Sequence, residues 1–509
     1  MQTYFLVYFG SAVIALIMTP IVIRLARRIG AVDNPGIRSV HTLPIPRIGG
    51  VAIYLATVTV IVVLLFLGNR IGVRFRDHWL QIAMLLGCVT AIFLIGLVDD
   101  LKRLPARIKF IAELLGAGAL CMVGVKIGDI NIGGSFVLHL GWLSVPVTLL
   151  WIVGITNAVN MSDGLDGLAA GVSAIACGVI AIFALHSSTV HSGTAQSNDV
   201  MMALFSLALL GSLCGFLFFN FNPAKVFMGD CGSLFIGFTI AASSVMCVSK
   251  SATLVGLALP ALALGIPIFD TLFSMLRRFL ERRSMFAADR GHFHHRLLDL
   301  GLRQRYAVML IYVATLLVTG LGLLMLVRNN VSSLVVFGSA LLLIMLMFRL
   351  VGVIRLREAL AHLQEKYRSA SEKRTERKHF EYMQLRLRQV HDPGQWRAAI
   401  CEAAGRMEFA WVSCKTTYND GHLEEEIWRA PQGHPDLSSV VTMTIPLRNN
   451  GGVECRQFEI AICVNGSMEA VGRRASLFGR LMDEFPPPEP WTGKDRPLYQ
   501  HGTLIQTKN

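Results

Sequence analysis

Apolar residues in this chain come in long runs, each closed by a short polar cluster, from the amino terminus to about Arg349. A helix that crosses a bilayer needs about 20 such residues, and the runs supply about eleven helices of that kind. They cover Tyr4–Ile23, Gly49–Leu67, Leu80–Val98, Ile108–Val125, Trp142–Val159 and Leu168–Leu185. Val200–Phe219, Ser233–Ser249, Leu254–Leu272, Ala307–Val327 and Val331–Met347 complete the set. The weaker stretch Lys126–Gly141 reads as a small hairpin. The first run follows only Met1-Gln2-Thr3, with no basic leader, and is expected to be a retained helix. Past Val351 the pattern changes. Leu356, Leu360, Leu363 and Tyr367 alternate at four and three residues within a highly charged stretch, which predicts a linker helix over 351–392 with a short coiled-coil seam. From Asp392-Pro393-Gly394 a helix (Trp396–Met407) precedes four strand-like runs, Ala410–Thr417, Leu423–Arg429, Val440–Leu447 and Gln457–Val464. Asn449-Asn450-Gly451-Gly452 marks a turn between the last two, a helix over Met468–Phe485 follows, and a proline-rich loose tail occupies 486–509.

The expected fold is therefore a multi-pass α-helical membrane protein, with a membrane domain over 1–350 and a small C-terminal α/β domain over 393–485. In its order of elements that small domain is similar to GAF-like sensor domains. Composition agrees: 53% of the residues are hydrophobic and only 16% charged, which excludes an ordinary soluble protein. Lys and Arg set the orientation. With the amino terminus outside, the inner loops hold Arg24, Arg27, Arg28, Arg38 and Arg47, then Lys102, Arg103, Arg107 and Lys109, then Lys225 and the Arg277–Arg305 cluster. These outnumber the outer Arg70, Arg74, Arg76, Lys126, Lys250 and Arg328. An odd number of spans then puts the C-terminal domain in the cytoplasm. The net charge of +13 points to anionic headgroups and phosphates as partners, ahead of nucleic acid. The ten cysteines show neither a C-x-x-C pair nor zinc spacing.

With this orientation four polar clusters fall at cytoplasmic ends of spans: Asp99-Asp100, Asn157–Gly167, Asn220–Gly232 and Gly291–Arg296. Taken singly, Asp99-Asp100 is readable as the start of a solvated loop, and Asn and Asp with Gly as turns and helix caps. Together they suit phosphoryl transfer on a magnesium-bound diphosphate, because Mg2+ takes one or two hard protein oxygens and leaves its other positions to water and substrate phosphate. Mn2+ would fit the same ligands. Glycines let backbone approach phosphate or sugar. Arg290, His292, His294, His295 and Arg296 offer donors to a pyrophosphate or to sugar hydroxyls. A zinc site is the rival use of those histidines, though no H-E-x-x-H accompanies them.

The chain resembles the polyprenyl-phosphate N-acetylhexosamine-1-phosphate transferases. The resemblance covers about residues 1–325 and rests on His41–Gly50 (HTLPIPRIGG), Asp99-Asp100, Asn157–Gly167, Asn222–Asp230 (NPAKVFMGD) and Asp289–Arg296 (DRGHFHHR). It implies a bacterial inner-membrane enzyme that moves a sugar-1-phosphate from a UDP-N-acetylhexosamine to a polyprenyl phosphate and releases UMP, initiating a cell-surface polysaccharide. It further implies Asn160 and Asp230 as magnesium ligands, Asp166 and Phe227 around the uracil, and Lys109 on the lipid phosphate. Asp99 and Asp100 take the place of the acidic pair that orients or deprotonates that phosphate. Since the second pKa of a phosphate monoester is about 6, orientation is the larger part of that task. His292-x-His294-His295 is similar to the branch that uses UDP-N-acetylglucosamine, although Arg103 stands where many members of that branch carry a third acid. A homodimer, and a ligand of the C-terminal domain, stay open. Two other classes compete: a multi-pass transporter, whose site would lie at mid-membrane between repeated halves, and a membrane-anchored sensor working through its C-terminal domain.

Overall fold

The computed structural model describes residues 2–486, except 34–43, 67, 69–71, 74–75, 77, 134–135, 191–192, 249–253, 282–283, 285–290, 325–330, 353–355, 418–422, 431–439, 447–454 and 465–467. Arg290, the His41–Leu43 end of the first motif and the Asn449–Gly452 turn lie outside the described residues. The chain divides into two compact units, Met1–Ala359 and Leu360–Asn509.

The first unit is a bundle of helices. In order they are α1 (Gln2–Ile29), α2 (Gly50–Phe66), α3 (Trp79–Lys102), α4 (Ala106–Met122), α5 (Ser144–Ser162), α6 (Leu168–Val190), α7 (Gly193–Asn220) and α8 (Gly229–Val248). After these come α9 (Leu254–Ala263), α10 (Gly265–Leu280), the short α11 (Phe293–Asp299), α12 (Gln304–Leu323) and α13 (Val331–Leu350). Among the described residues seven helices are long and apolar enough to cross a membrane, or eight if α9 and α10, bent by 72° at their junction, count as one span. That is fewer than the run lengths suggest, and the reasons are local. Helix α2 has 17 residues, about 25 Å against a hydrocarbon core of about 30 Å. Helix α4 is also 17 residues long and carries Arg107, Lys109 and Glu113, whereas α13 spans 20 residues, of which 335–350 are the ones fully described. Between α1 and α2 the short strands β1 (Val32–Asp33) and β2 (Ile45–Pro46) pair antiparallel, and the stretch Lys126–Gly141 does form a hairpin, with β3 (Asp129–Gly133) antiparallel to β4 (Phe136–His139).

Small residues decide how closely the helices approach. Helix α1 buries Val7, Ser11, Ala15, Thr19, Val22 and Ala26, one face at helical spacing. That face lies on Gly211 and Gly215 of α7, where a Cβ at Gly215 would sit 2.9 Å from the Ala15 Cβ. Helix α8 occupies the centre. A Cβ at Gly96 of α3 would fall 2.6 Å from the Cys231 Cα, and one at Gly237 of α8 would fall 2.7 Å from the Thr156 Cα of α5. The start of α2 is equally close, since a side chain at Gly50 would run into the Gly232 backbone. These contacts bring the carboxyl ends of α3 and α5 to the amino end of α8.

In the second unit β5 (Phe409–Thr417), β6 (Leu423–Arg429), β7 (Val440–Pro446) and β8 (Cys455–Cys463) form an antiparallel sheet in the order β6-β5-β8-β7. Its core joins Val412, Phe458 and Ile460 to Trp396 of α15 (Pro393–Arg406) and Phe478 of α16 (Met468–Glu484). Phe380, Met383 and Leu387 of α14 (Leu356–Arg388) share that core. Asp392 caps α15 by accepting the Gln395 N–H at 3.2 Å, with Pro393 in the first turn.

Candidate active site

Asp99 and Asp100 end α3, where Arg103 adopts φ 56° and its N–H returns to the Asp99 carbonyl at 2.8 Å. The two neighbouring carboxylates do different work. One Asp100 oxygen accepts Arg47 Nη2 at 3.1 Å and the Asp230 backbone N–H at 3.0 Å; the other accepts the Cys231 N–H at 3.0 Å. Asp100 is thus the cap of α8, supplied by another helix, and it satisfies donors that the first turn leaves open. Gly229 makes room for it, with φ 74° and no side chain; a Cβ there would lie 2.5 Å from Asp100 Oδ2. Asp99 accepts the Leu104 N–H and, on its other oxygen, Lys109 Nζ at 2.8 Å. The same ammonium reaches Asp230 Oδ2 at 2.5 Å. Lys109 therefore ties α3, α4 and α8 together, and its side chain is only 18% exposed.

Asn160, in the last turn of α5, donates its amide N–H to Ser233 Oγ at 2.8 Å, one turn beyond Asp230, and Ser233 in turn donates to the Gly229 carbonyl. With the nitrogen so engaged, the amide oxygen is the group of Asn160 that could serve as a cation ligand. Beyond Asn160 the chain turns through Asp163–Gly167 into α6. Burial pushes the Asp163 carboxyl up to about 8, and the carboxylates of Asp230, Asp100 and Asp166 add to the shift. Asp166 Oδ2 accepts Asn222 Nδ2 at 2.9 Å and the Ala224 N–H at 3.1 Å, joining this turn to the segment before α8. Phe227 holds that segment in place, its N–H donating to the Pro46 carbonyl at 2.7 Å.

A cavity of about 770 Å3 opens over these groups. Asp100, Asp163, Asp166, Asp230 and Phe227 line it, with Arg27, Arg47, Lys225 and His295 among the basic groups around them. The acids are crowded, and Arg47 and Lys109 are the cations paired directly to them. Hard oxygen donors with a surplus of negative charge suit a divalent cation that keeps part of its coordination shell for water and phosphate. Among the described residues no group of three or more His, Cys, Asp or Glu is placed to hold a metal ion by itself.

The histidine loop divides. His295 lines the cavity, whereas His292 and His294 are buried behind it against Asp270 of α10. His292 Nδ1 lies 3.1 Å and His294 Nδ1 3.9 Å from Asp270 Oδ2, and Asp270 Oδ1 accepts the Phe293 N–H at 2.8 Å. Burial holds His294 down to about 3, so it is neutral at pH 7 and contributes packing and a ring nitrogen in place of charge. A Cβ at Gly164 would lie 2.5 Å from His294 Nε2, which sets this histidine directly on the Asp163–Gly167 turn. Arg296 stands 4.0 Å from Asp299.

Sequence reasoning gave no role to Arg47, Glu113, Asp163, Asn222 or Asp270. A signal existed for two of them: Glu113 and Asp270 are each the one acid of a largely apolar helix. For Arg47 and Asn222 only the tertiary contact reveals the task.

A helical bundle that gathers acids, amides and a shared ammonium at the ends of its spans, under a basic-rimmed cavity, defines a polytopic membrane enzyme built for phosphate chemistry. Residues 82–248 match the family described as Glycosyl transferase family 4. The chain is 40% identical over 306 residues to a probable undecaprenyl-phosphate N-acetylglucosaminyl 1-phosphate transferase of Bacillus subtilis, covering 60% of this chain and 79% of the relative. It is 36% identical over 327 residues to the decaprenyl-phosphate N-acetylglucosaminephosphotransferase of Mycobacterium leprae, covering 60% and 80%. An undecaprenyl-phosphate alpha-N-acetylglucosaminyl 1-phosphate transferase of Yersinia pestis is 27% identical over 307 residues, covering 59% and 78%. The chain belongs to glycosyl transferase family 4, among the polyprenyl-phosphate N-acetylglucosamine-1-phosphate transferases.

Proposed function

We propose that this protein transfers N-acetylglucosamine-1-phosphate from UDP-N-acetylglucosamine to a polyprenyl phosphate, releasing UMP, as the first step of a cell-surface glycan. The observation that carries this reading is the convergence of Asp99, Asp100, Lys109, Asn160 and Asp230 from four helices on the amino end of α8. An oxygen of the lipid phosphate attacks the β-phosphorus of the nucleotide sugar. A new P–O bond forms there as the bond to the bridging oxygen breaks, and UMP leaves with that electron pair. Lys109, held by Asp99, is placed to receive the acceptor phosphate and to offset its charge. Asp166, with Asn222 and the Ala224 N–H, builds the wall on which the uridine is read, and Phe227 supplies a ring to stack on it. Asn160 and Asp230 would hold Mg2+, with Mn2+ as substitute, and the cation supplies charge stabilisation for the diphosphate when bound. His295, which lines the cavity with the His294 ring 4.4 Å from its own, would meet the sugar or pyrophosphate, whereas Arg296 lies by Asp299 and is not among the lining residues.

The basic loops support a cytoplasmic site in a bacterial inner membrane, and helices α2, α4 and α13 complete about eleven passes in this reading. The C-terminal unit is then a cytoplasmic regulatory or partner-binding domain.

The test is a membrane assay with UDP-N-acetylglucosamine and undecaprenyl phosphate, reading UMP release and the lipid product by mass. A panel of UDP-sugars fixes the donor. Transport of substrate into proteoliposomes without any lipid-linked product would refute the transferase reading. Full Mg2+-dependent UMP release by Asp230→Ala would refute the assignment of the metal ligands.

A further inference from the structure

Helix α4 carries a single acid, and the reaction does not use it. Glu113 is 1% exposed and lies one turn beyond Lys109. Its carboxylate accepts an N–H of Asn157 on α5, and the other N–H of that amide goes to the Val153 carbonyl at 2.9 Å. Asn157 in turn lies one turn before Asn160. The two helices therefore meet directly at Glu113 and Asn157. One turn nearer the site, Lys109 and Asn160 each reach α8, at Asp230 and Ser233.

A carboxylate buried at this depth is costly unless its partner is well placed. Apart from the Lys109 ammonium on Asp99 and Asp230, little else holds α4. Beside Glu113, this helix fully buries only Ala117 and Leu120, while Ile111, Leu115 and Met122 are exposed. Small apolar contacts leave a helix free to rotate about its axis. With side chains at a radius of about 5–6 Å, a rotation of about 10° moves the outer atoms by about 1 Å. An error of about 1 Å in a reacting group costs up to about a hundredfold in rate.

We propose that Glu113, through Asn157, is a positioning residue for the acceptor side of the site, fixing the rotation of α4 and hence the place of the Lys109 ammonium. The assignment rests on the transferase reading above. Its consequence is selective, because the uridine wall of Asp166, Asn222 and Phe227 belongs to other segments. Glu113→Ala is expected to raise KM for polyprenyl phosphate about tenfold and lower kcat, with KM for UDP-N-acetylglucosamine within about twofold. Glu113→Gln keeps an oxygen for Asn157 and is expected to restore most of the acceptor KM. Asn157→Ala reproduces the effect, and the double Ala variant adds little to either single one, because both remove one contact.

A merely structural role would lower the yield of folded enzyme and leave both KM values of the surviving fraction alone. Equal changes in the two KM values, additive effects in the double variant, or a Gln variant no better than Ala would each overturn the assignment. Absence of any lipid product from the unsubstituted chain would overturn the transferase reading and this assignment with it. A normal unsubstituted enzyme with the wrong KM pattern would overturn only the role of Glu113.

Discussion

Replacing Asp100 by Asn tests whether this acid is chiefly the cap of α8. The carboxylate accepts the Asp230 and Cys231 N–H groups on separate oxygens, and Arg47 as well. An amide keeps one acceptor oxygen, so one backbone N–H stays satisfied while the other faces an NH2 group. A hydrogen bond to a charged acceptor is worth about 1.5–3 kcal/mol, and an unsatisfied buried donor costs about 1–3 kcal/mol. The capped geometry should therefore lose about 3 kcal/mol, about two orders of magnitude in the population that holds Asp230 in place. Two readouts must move together in purified enzyme: the thermal unfolding midpoint falls, and kcat for lipid product falls about a hundredfold. Arg47→Ala should produce a smaller loss in both, since the two backbone donors keep their acceptors. Lost activity in Asp100→Asn at an unchanged unfolding midpoint would refute the capping argument and leave Asp100 acting on substrate alone.

The crowding of acids predicts a pH-dependent cation affinity. With its carboxyl raised to about 8 by burial and by the charge of Asp230, Asp163 holds a proton below that value; losing it adds negative charge beside the Asp230 site, so a cation there binds more tightly as pH rises. Mn2+ titration followed by electron paramagnetic resonance should show the dissociation constant falling from about pH 6.5 to about pH 8.5, by up to about tenfold per unit, with the slope lost in Asp163→Asn. Asp166→Ala releases Asn222 and the Ala224 N–H, and should raise KM for the UDP-sugar about tenfold with the acceptor KM unchanged. Gly229→Ala combines a φ of 74° with a Cβ 2.5 Å from Asp100 Oδ2; a strain of at least about 1–2 kcal/mol should abolish transfer and lower the unfolding midpoint. A chain ending at Ala359 should retain basal transfer in membranes, and its complete inactivity would show that catalysis depends on the C-terminal unit.

Much of this architecture is legible along the chain because burial in lipid demands it. A segment surrounded by hydrocarbon must satisfy its own backbone and show apolar side chains, so Trp79–Lys102 or Leu168–Val190 can be read from residue type alone. The clusters Asp99-Asp100 and Asn157–Gly167 stand out for the same reason. Helices α4 and α10 are harder, since each mixes apolar residues with acids whose partners lie on other helices. Lys109, Glu113 and Asp270 are charged residues in apolar stretches until Asp230, Asn157 and His292 are seen beside them.

The sequence by itself determined the class of protein, the chemistry available to it and the ends of the helices where that chemistry is held. It did so because apolar length, turn residues and charged groups act locally. Only the tertiary structure decided the division of labour: Asp100 caps α8, Asp99 holds Lys109, and His292 and His294 stand behind His295. Two adjacent aspartates are equivalent in composition, and their roles separate only when glycines at 96, 229 and 237 let three helices close to backbone contact. Which oxygen meets which donor is then set by packing between segments distant in the chain, a property that no stretch of residues carries alone.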